Sequence, residues 1–151
     1  MVHPRDAHDL EALKRQMDCV FVDAPCTGTG TWRRRPDTKW RVKPRSLETR
    51  QGQQNEVLRG AAAFVKPGGR LLYATCSFLA EEDEDRVSSF LADYPDWTQE
   101  DAANHAAESG LLTPEGIAIV KDGRGRDGAV RLTPRQAGTD GFFFAVLRAP
   151  D

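Results

Sequence analysis

The sequence lacks the features of a membrane protein, a disulfide scaffold and a structural zinc site. Its 151 residues contain no apolar run that approaches the roughly 20 residues of a membrane span. The opening residues, MVHPRDAHDL, lack the apolar core of a signal peptide. Only three cysteines are present, Cys19, Cys26 and Cys76, and none of them forms a CxxC pair. We therefore expect a soluble, cytoplasmic, single-domain protein.

Two catalytic or binding patterns are also missing. No Ser/His/Asp arrangement is visible around the three histidines. In GTGTWR, Gly28 and Gly30 match the start of a dinucleotide-binding G-x-G-x-x-G loop, but Arg33 occupies the place of the third glycine. These glycines are therefore expected to let the backbone turn close to a bound substrate.

Helices and strands alternate along the predicted chain. Helices are expected over residues 3–16, 46–65 and 80–94, and buried strands over residues 18–25, 70–77 and 140–149. The KPGG stretch at 66–69 is expected to end the second helix and turn the chain. Further on, DWTQED is a candidate strand, and GIAIV and AVRLT are expected to form a hairpin or a loose loop. This order predicts an α/β sheet.

Two cysteines lie at the carboxyl ends of predicted strands. Cys26 follows VDAP, and Cys76 follows LLYAT. Ligands of α/β sheets bind outside the carboxyl ends of the strands, so neighbouring strands would bring both thiols to one pocket. A nucleophilic thiolate needs a lowered pKa, which a helix N-terminus favours, and Cys76 shortly precedes a predicted helix. Cys19 lies within the first strand and is predicted to be a small core residue.

A basic segment, Trp32–Arg50, follows the first of these thiols. It carries eight Lys or Arg against two acids, whereas residues 81–108 carry ten acids and one Arg. Its cations are interleaved with Trp32 and Trp40, a pattern typical of surfaces that bind phosphates and stack on bases. The alternative interpretation is a solvated loop beside a solvated helix.

Successive stretches of the chain resemble the late motifs of RNA (cytosine-5) methyltransferases. They are DAPCTGTG with RRRPDTKW, VKPGGRLLYATCS, EEDED and TDGFFFAVL. The resemblance covers about residues 18–147 and is greatest to the Sun-like branch that methylates bacterial 16S ribosomal RNA. It implies the C-terminal part of a class I, Rossmann-like fold, with a mixed sheet and an antiparallel last strand. It also implies transfer of a methyl group from S-adenosylmethionine to C5 of an RNA cytosine, as in rRNA processing.

The resemblance further implies roles for individual residues. Cys76, in ATCS, would be the catalytic nucleophile, and Cys26, in APC, would assist breakdown of the covalent adduct. Asp23 would lie where methyl donor and target base meet, as a catalytic and cofactor-binding residue, with Pro25 fixing the loop beside it. RNA would be bound by Arg33, Arg34, Arg35, Lys39 and Trp40. No metal ligand is implied.

Other motifs of the complete family do not precede Asp18. These are the glycine-rich cofactor loop, the acid that binds the cofactor ribose and an N-terminal RNA-binding domain. Residues 1–151 are therefore expected to form one domain, the C-terminal segment of a catalytic domain, with residues 1–17 as a helix or a start added for expression. Alone it is expected to be inactive and to bind cofactor weakly. An exposed apolar strand edge near CVFVD predicts self-association.

Two other functions stay open at this point. A non-catalytic RNA-binding remnant that uses Trp32–Arg50 would bind RNA in a salt-sensitive manner without cofactor affinity. A thiol redox protein would readily form a disulfide between Cys26 and Cys76. The redox interpretation leaves PDTKW and DGFFFA unexplained.

Overall fold

Five strands form one mixed sheet in the computed structural model, which describes residues 10–40 and 42–151. They are β1 (Met17–Asp23), β2 (Val65–Thr75), β3 (Thr98–Glu100), β4 (Val130–Leu132) and β5 (Phe142–Arg148). β1 is parallel to β2, and β5 is antiparallel to β2, β3 and β4. The order across the sheet is β1, β2, β5, β3, and β4 also pairs with β5. The predicted mixed sheet with an antiparallel last strand is confirmed.

Helices connect these strands. In the described part of the chain they are α1 (Pro44–Ala62), α2 (Glu84–Asp93), α3 (Ala102–Glu108), α4 (Pro114–Asp122) and α5 (Pro134–Ala137). Short 3-10 helices cover Thr29–Thr31, Pro36–Trp40 and Ala80–Glu82. None of the helices in the described ranges is long and apolar enough to cross a membrane.

Two apolar cores lie on opposite faces of the sheet. On one face, Leu58 of α1 and Phe90 of α2 are buried in a cluster with Leu71 and Tyr73 of β2. On the other face, buried alanines of α3 pack in a second cluster with Val146 of β5. β2 and β5 therefore form the interior of the sheet, because they contribute side chains to both cores.

β1 differs from β2 and β5 because only one of its faces is covered. Val22 is buried beneath α1, whereas Phe21 is 65% exposed and Cys19 is also exposed. Within the described residues, β1 pairs with β2 alone, so its other backbone edge is free there. The prediction that Cys19 is a core residue is therefore wrong, as is burial of this strand on both faces.

The boundaries of the second predicted helix and strand also differ from expectation. α1 begins at Pro44 and ends at Ala62, and residues 66–69 lie inside β2 instead of forming a separate turn. β1 advances from Met17 to Cys19 while its partner advances from Val65 to Arg70, so β2 bulges there. The bulge replaces the predicted turn.

The region after residue 95 follows the prediction only in part. DWTQED contains β3, as predicted, and AVRLT contains β4. GIAIV lies in α4, so the predicted hairpin is wrong. The Thr113 hydroxyl accepts a hydrogen bond from the backbone N–H of Gly116 and caps this helix, and Pro114 occupies its first turn. These start signals outweigh the β-branched residues that suggested a strand.

The other two predicted helices are shorter than expected. Residues 3–9 lie outside the described residues, and residues 12–16 form turns that lead into β1. The helix expected over 80–94 is split into a 3-10 turn and α2, because Asp83 has non-helical backbone angles (φ −112°, ψ −101°). The break lets the acids at its start point into the protein instead of into solvent.

Candidate active site

Parallel pairing of β1 and β2 brings the loops that follow them together. Asp23 pairs with Ala74, and the backbone N–H of Ala24 donates to the carbonyl of Ala74 at 2.9 Å. The Sγ atoms of Cys26 and Cys76 are 3.4 Å apart, and both thiols are free. The two cysteines that the sequence places after separate strands are therefore in direct contact.

The contact changes the acidity of both thiols. The pKa of Cys76 is lowered to about 7, because the thiol of Cys26 donates a hydrogen bond to the Cys76 thiolate. The same contact, together with burial, raises the pKa of Cys26. The charges of Asp23 and Glu82 act in the opposite direction and raise the pKa of Cys76. At neutral pH the pair therefore combines a reactive thiolate with a protonated thiol.

Asp23 and Pro25 border the thiol pair on the side of β1. Asp23 ends β1 with an exposed side chain, and no described residue donates a hydrogen bond to its carboxylate. The carbonyl of Pro25 accepts a hydrogen bond from the side chain of Gln54 at 2.9 Å, which ties the loop to α1. An accessible carboxylate beside a thiolate suits a ligand that carries a positive charge or amino donors.

Glu82 is a buried acid that the sequence analysis missed. It is 0% exposed, and it accepts hydrogen bonds from the residues that directly follow the two cysteines, Thr27 and Ser77. In the sequence it looks like one of several solvated acids in EEDED. Its position a few residues after ATCS is the signal that could have distinguished it.

The loops that follow β1 and β2 carry Cys26 and Cys76 and are called the thiol loops. Two glycines join them to the start of β5. The N–H of Gly30 donates to the carbonyl of Cys76 at 2.9 Å, and the N–H of Gly141 donates to the carbonyl of Gly30 at 2.8 Å. A Cβ atom on Gly30 would lie 2.4 Å from the carbonyl oxygen of Gly141. Only glycine allows these backbones to approach so closely.

A second buried acid, Asp83, also escaped the sequence analysis. Its carboxylate accepts hydrogen bonds from the Thr75 hydroxyl at 2.6 Å and from Arg131 at 2.8 Å. Burial raises the pKa of Asp83 to about 7, although Thr75 and Arg131 act to lower it. Through Arg131 and Asp83, β4 is linked to Thr75 at the end of β2, next to Cys76.

The predicted RNA-binding residues lie on the exposed segment after the first thiol loop. Arg34 bonds to the buried carboxylate of Asp140, and Arg33 lies 3.8 Å from its second oxygen. Lys39 stacks over the ring of Trp40, 4.6 Å from its centroid, and Trp40 is 78% exposed. Arg35 is also exposed. Two of the five residues are thus held by an acid, while the other three face solvent.

A cavity of about 230 Å³ lies between this segment and Cys26. It is lined by Cys26, Thr27, Thr38, Val42, Ser46 and Arg50. A larger cavity of about 500 Å³, lined in part by Arg59, Tyr94 and Trp97, contains neither thiol. No group of three or more His, Cys, Asp or Glu within residues 10–40 and 42–151 is arranged to hold a metal ion.

Comparison with known proteins gives one family. Residues 2–148 match the family model described as 16S rRNA methyltransferase RsmB/F. The ribosomal RNA small subunit methyltransferase B of Shewanella oneidensis is 37% identical over 132 residues, which are 87% of this chain and 27% of that protein. The chain therefore spans about a quarter of the length of this curated relative.

Two solved structures from Pyrococcus horikoshii are also similar. A methyltransferase homolog protein is 30% identical with a TM-score of 0.63, and the match covers 94% of this chain and 42% of that one. NSun6, solved with SFG, is 25% identical with a TM-score of 0.64, and the match covers 97% of this chain and 33% of that one. The described sheet therefore corresponds to part of a methyltransferase fold.

Proposed function

Because this chain belongs to the RsmB/F family of 16S rRNA methyltransferases, we propose that it supplies the thiol-bearing part of an RNA (cytosine-5) methyltransferase. The substrate is ribosomal RNA, which bacteria hold in the cytoplasm, and the product is 5-methylcytosine. The observation that carries this proposal is the 3.4 Å contact between the Sγ atoms of Cys26 and Cys76. A lowered pKa on Cys76 supports its role as the nucleophile.

The two thiols have different roles in the reaction. C5 of cytosine is a poor nucleophile, and bonding of the Cys76 sulfur to C6 raises the electron density at C5. S-adenosylmethionine supplies the methyl group when it is bound. After methylation, a base takes the proton from C5, the bond between sulfur and C6 breaks, and Cys76 leaves as a thiolate. Cys26 assists this elimination from its position against Cys76.

Asp23 and Pro25 form the edge of the cofactor site. The carboxylate of Asp23 is exposed and has no described donor, so it fits the positively charged groups of S-adenosylmethionine. SFG, with which NSun6 was solved, is an analogue of this cofactor. The rest of the cofactor site lies outside this chain, which forms the single C-terminal segment of the catalytic domain. Alone, the chain is inactive and binds cofactor weakly.

RNA enters across the basic segment and the cavity beside Cys26. Arg35, Lys39 and Trp40 are exposed and suit phosphate contacts and base stacking. Arg33 and Arg34 belong to the same RNA surface, and Asp140 holds their side chains in place. The target cytosine leaves its stack to reach the thiols, as it does in other base-modifying enzymes.

The test is trapping with RNA that contains 5-fluorocytosine, which blocks release of the adduct because fluorine replaces the C5 proton. The longest natural polypeptide that carries this chain, mixed with this RNA and S-adenosylmethionine, should give a protein–RNA adduct stable to denaturation. Cys76→Ala should abolish the adduct, and Cys19→Ala, a change at an exposed thiol, should leave it intact. Full methylation by Cys76→Ala would refute the assignment.

The second candidate function is RNA binding without catalysis, and the exposed Trp40 and Lys39 favour it. Both candidates predict RNA binding that weakens with salt. Only the methyltransferase predicts an adduct at Cys76. Salt-sensitive RNA binding by a chain that never forms the adduct, even with cofactor and its full natural length, would select the second candidate.

Self-association of the isolated chain also belongs to this proposal. The free backbone edge of β1 and the exposed Phe21 offer a strand for pairing with another chain. Sedimentation at high micromolar concentration should show dimers or larger species. Phe21→Lys, which places a charge on the exposed side of this edge strand, should reduce them. A monodisperse monomer would contradict the idea.

A further inference from the structure

Glu82 connects three separate parts of the chain. Its Oε1 accepts from the backbone N–H of Thr27 at 2.8 Å and from Nε2 of Gln54 at 3.2 Å. Its Oε2 accepts from the Ser77 hydroxyl at 2.6 Å and from the Thr27 hydroxyl. The side chain is 0% exposed. One carboxylate thus binds both thiol loops and α1.

A fully buried carboxylate destabilises a protein unless enough donors bind to it. A buried carboxylate loses several kcal/mol of hydration, and only well-placed donors offset the loss. Here four hydrogen bonds, two to each oxygen, match the number of lone pairs that the carboxylate offers. The backbone carbonyl of Glu82 is also fixed, because it accepts from the Tyr73 hydroxyl at 2.7 Å. The acid is therefore held rigidly on both its main chain and its side chain.

The position of its partners relates Glu82 to the thiols. Thr27 directly follows Cys26, and Ser77 directly follows Cys76. We propose that Glu82 is a positioning residue that keeps the two cysteines in contact and so keeps Cys76 ready to act as a nucleophile. The catalytic meaning of this contact rests on the proposed function, but the contact itself is measurable without RNA or cofactor.

Two effects of Glu82 on Cys76 have opposite signs, which makes the proposal testable. The charged groups that act on Cys76 are Asp23 and Glu82, and each raises its pKa, whereas the hydrogen bond from Cys26 lowers it. Removing only the charge of Glu82 would therefore lower the pKa of Cys76. Releasing the loops would break the contact with Cys26 and raise it.

The experiment compares Glu82→Gln with Glu81→Gln in this chain. Glu81 makes the matched control, because it is the neighbouring acid and its side chain is exposed. The rate of alkylation of Cys76 by iodoacetamide is measured against pH by mass spectrometry, under conditions where circular dichroism shows the protein folded. Glu82→Gln should raise the pKa of Cys76 and slow alkylation at pH 7 at least fivefold. Glu81→Gln should change neither.

A purely structural role for Glu82 would lower the melting temperature and leave the pKa of Cys76 in the folded protein unchanged. That result, or a lowered pKa, would overturn the proposal. If Glu82→Gln does not fold, Thr27→Val removes one hydroxyl donor and keeps the acid. It should shift the pKa upwards by a smaller amount, and an unchanged pKa in folded Thr27→Val would also overturn the proposal.

The outcome is separable from that of the proposed function. A raised pKa of Cys76 in Glu82→Gln, combined with no adduct on 5-fluorocytosine RNA in the unmodified protein, would keep the positioning role and reject the methyltransferase. An adduct in the unmodified protein, together with an unchanged pKa of Cys76 in Glu82→Gln, would keep the methyltransferase and reject the positioning role.

Discussion

The basic segment directly follows the first thiol loop in the chain, but the two thiol loops and this segment are held in different ways. In the loops, buried hydroxyl and carboxyl groups of Thr29, Ser77 and Glu82 bond to one another. In the basic segment most side chains are exposed, and Trp40 is 78% exposed. The difference fits two tasks. A reacting thiol pair needs fixed geometry, whereas cations that bind phosphate can stay solvated until the ligand arrives.

The largest loss of stability is expected in the thiol loops, from Gly30→Ala. Its Cβ would lie 2.4 Å from the carbonyl oxygen of Gly141 and 2.9 Å from that of Cys76, so backbone must move. We expect a loss of about 3 kcal/mol in the free energy of unfolding, measured by urea denaturation. In α1, Gly60→Ala has open space around it and should stabilise by roughly 0.5–1 kcal/mol. Equal effects at both glycines would contradict the close contact.

The next effect is a pH dependence that arises from Asp83. Its pKa is raised to about 7 in the folded protein, so the folded state holds its proton at higher pH than the unfolded chain does. Stability should therefore fall as pH rises from about 4 to about 7. Denaturant unfolding across this range should show the fall, and Asp83→Asn should remove it.

Asp93→Asn provides the control for this pH dependence. Asp93 is an exposed acid that pairs with Arg59 on the surface. Its replacement should leave the fall in stability between pH 4 and 7 intact. A protein with Asp83→Asn that still lost stability over this range would show that another group is responsible.

A smaller change is expected from Cys26→Ala, which removes the hydrogen bond to Cys76. The pKa of Cys76 should rise from about 7 towards the usual thiol value. Alkylation of Cys76 at pH 7 should slow by roughly tenfold, because fewer molecules carry the thiolate. Cys19→Ala, which removes an exposed cysteine on β1, should leave the rate unchanged. If Cys26→Ala left the alkylation rate of Cys76 unchanged, the thiol loops would not hold the two thiols in a fixed contact.

The smallest effect on stability is expected in the basic segment. Lys39→Ala should change the free energy of unfolding by no more than about 0.5 kcal/mol, because the side chain is exposed. It should nevertheless weaken RNA binding and reduce the salt slope of the binding constant by about 1. Lys121→Ala, a change at an exposed side chain of α4, is the control and should leave the salt slope unchanged. Identical slopes for both variants would exclude Lys39 from the RNA surface.

The sequence was informative where its patterns are local. Apolar runs located β1, β2 and β5, and the position of each cysteine after a strand led to the pair that the structure brings into contact. The exposure of Cys19 was not predictable in this way, because it depends on what covers the second face of β1. A single strand pattern does not contain that information.

The buried acids illustrate the same limit. Glu82 and Asp83 belong to an acidic run that resembles the solvated first turn of a helix. Their burial follows from the backbone break at Asp83 and from donors that lie far away in sequence, such as Thr27 and Arg131. Propensity alone favours the solvated interpretation, and tertiary contacts reverse it.

The place of β5 in the sheet has a consequence for synthesis of the protein. β5 pairs with β2, β3 and β4, and all three are translated before it. Gly141, just ahead of β5, also holds the loop that contacts Cys76. A nascent chain that lacks β5 therefore has an unpaired edge on β2, and its thiol loops lack the support of Gly141. Until β5 joins the sheet, the thiol pair therefore depends on the pairing of β1 with β2 and on the hydrogen bonds of Glu82.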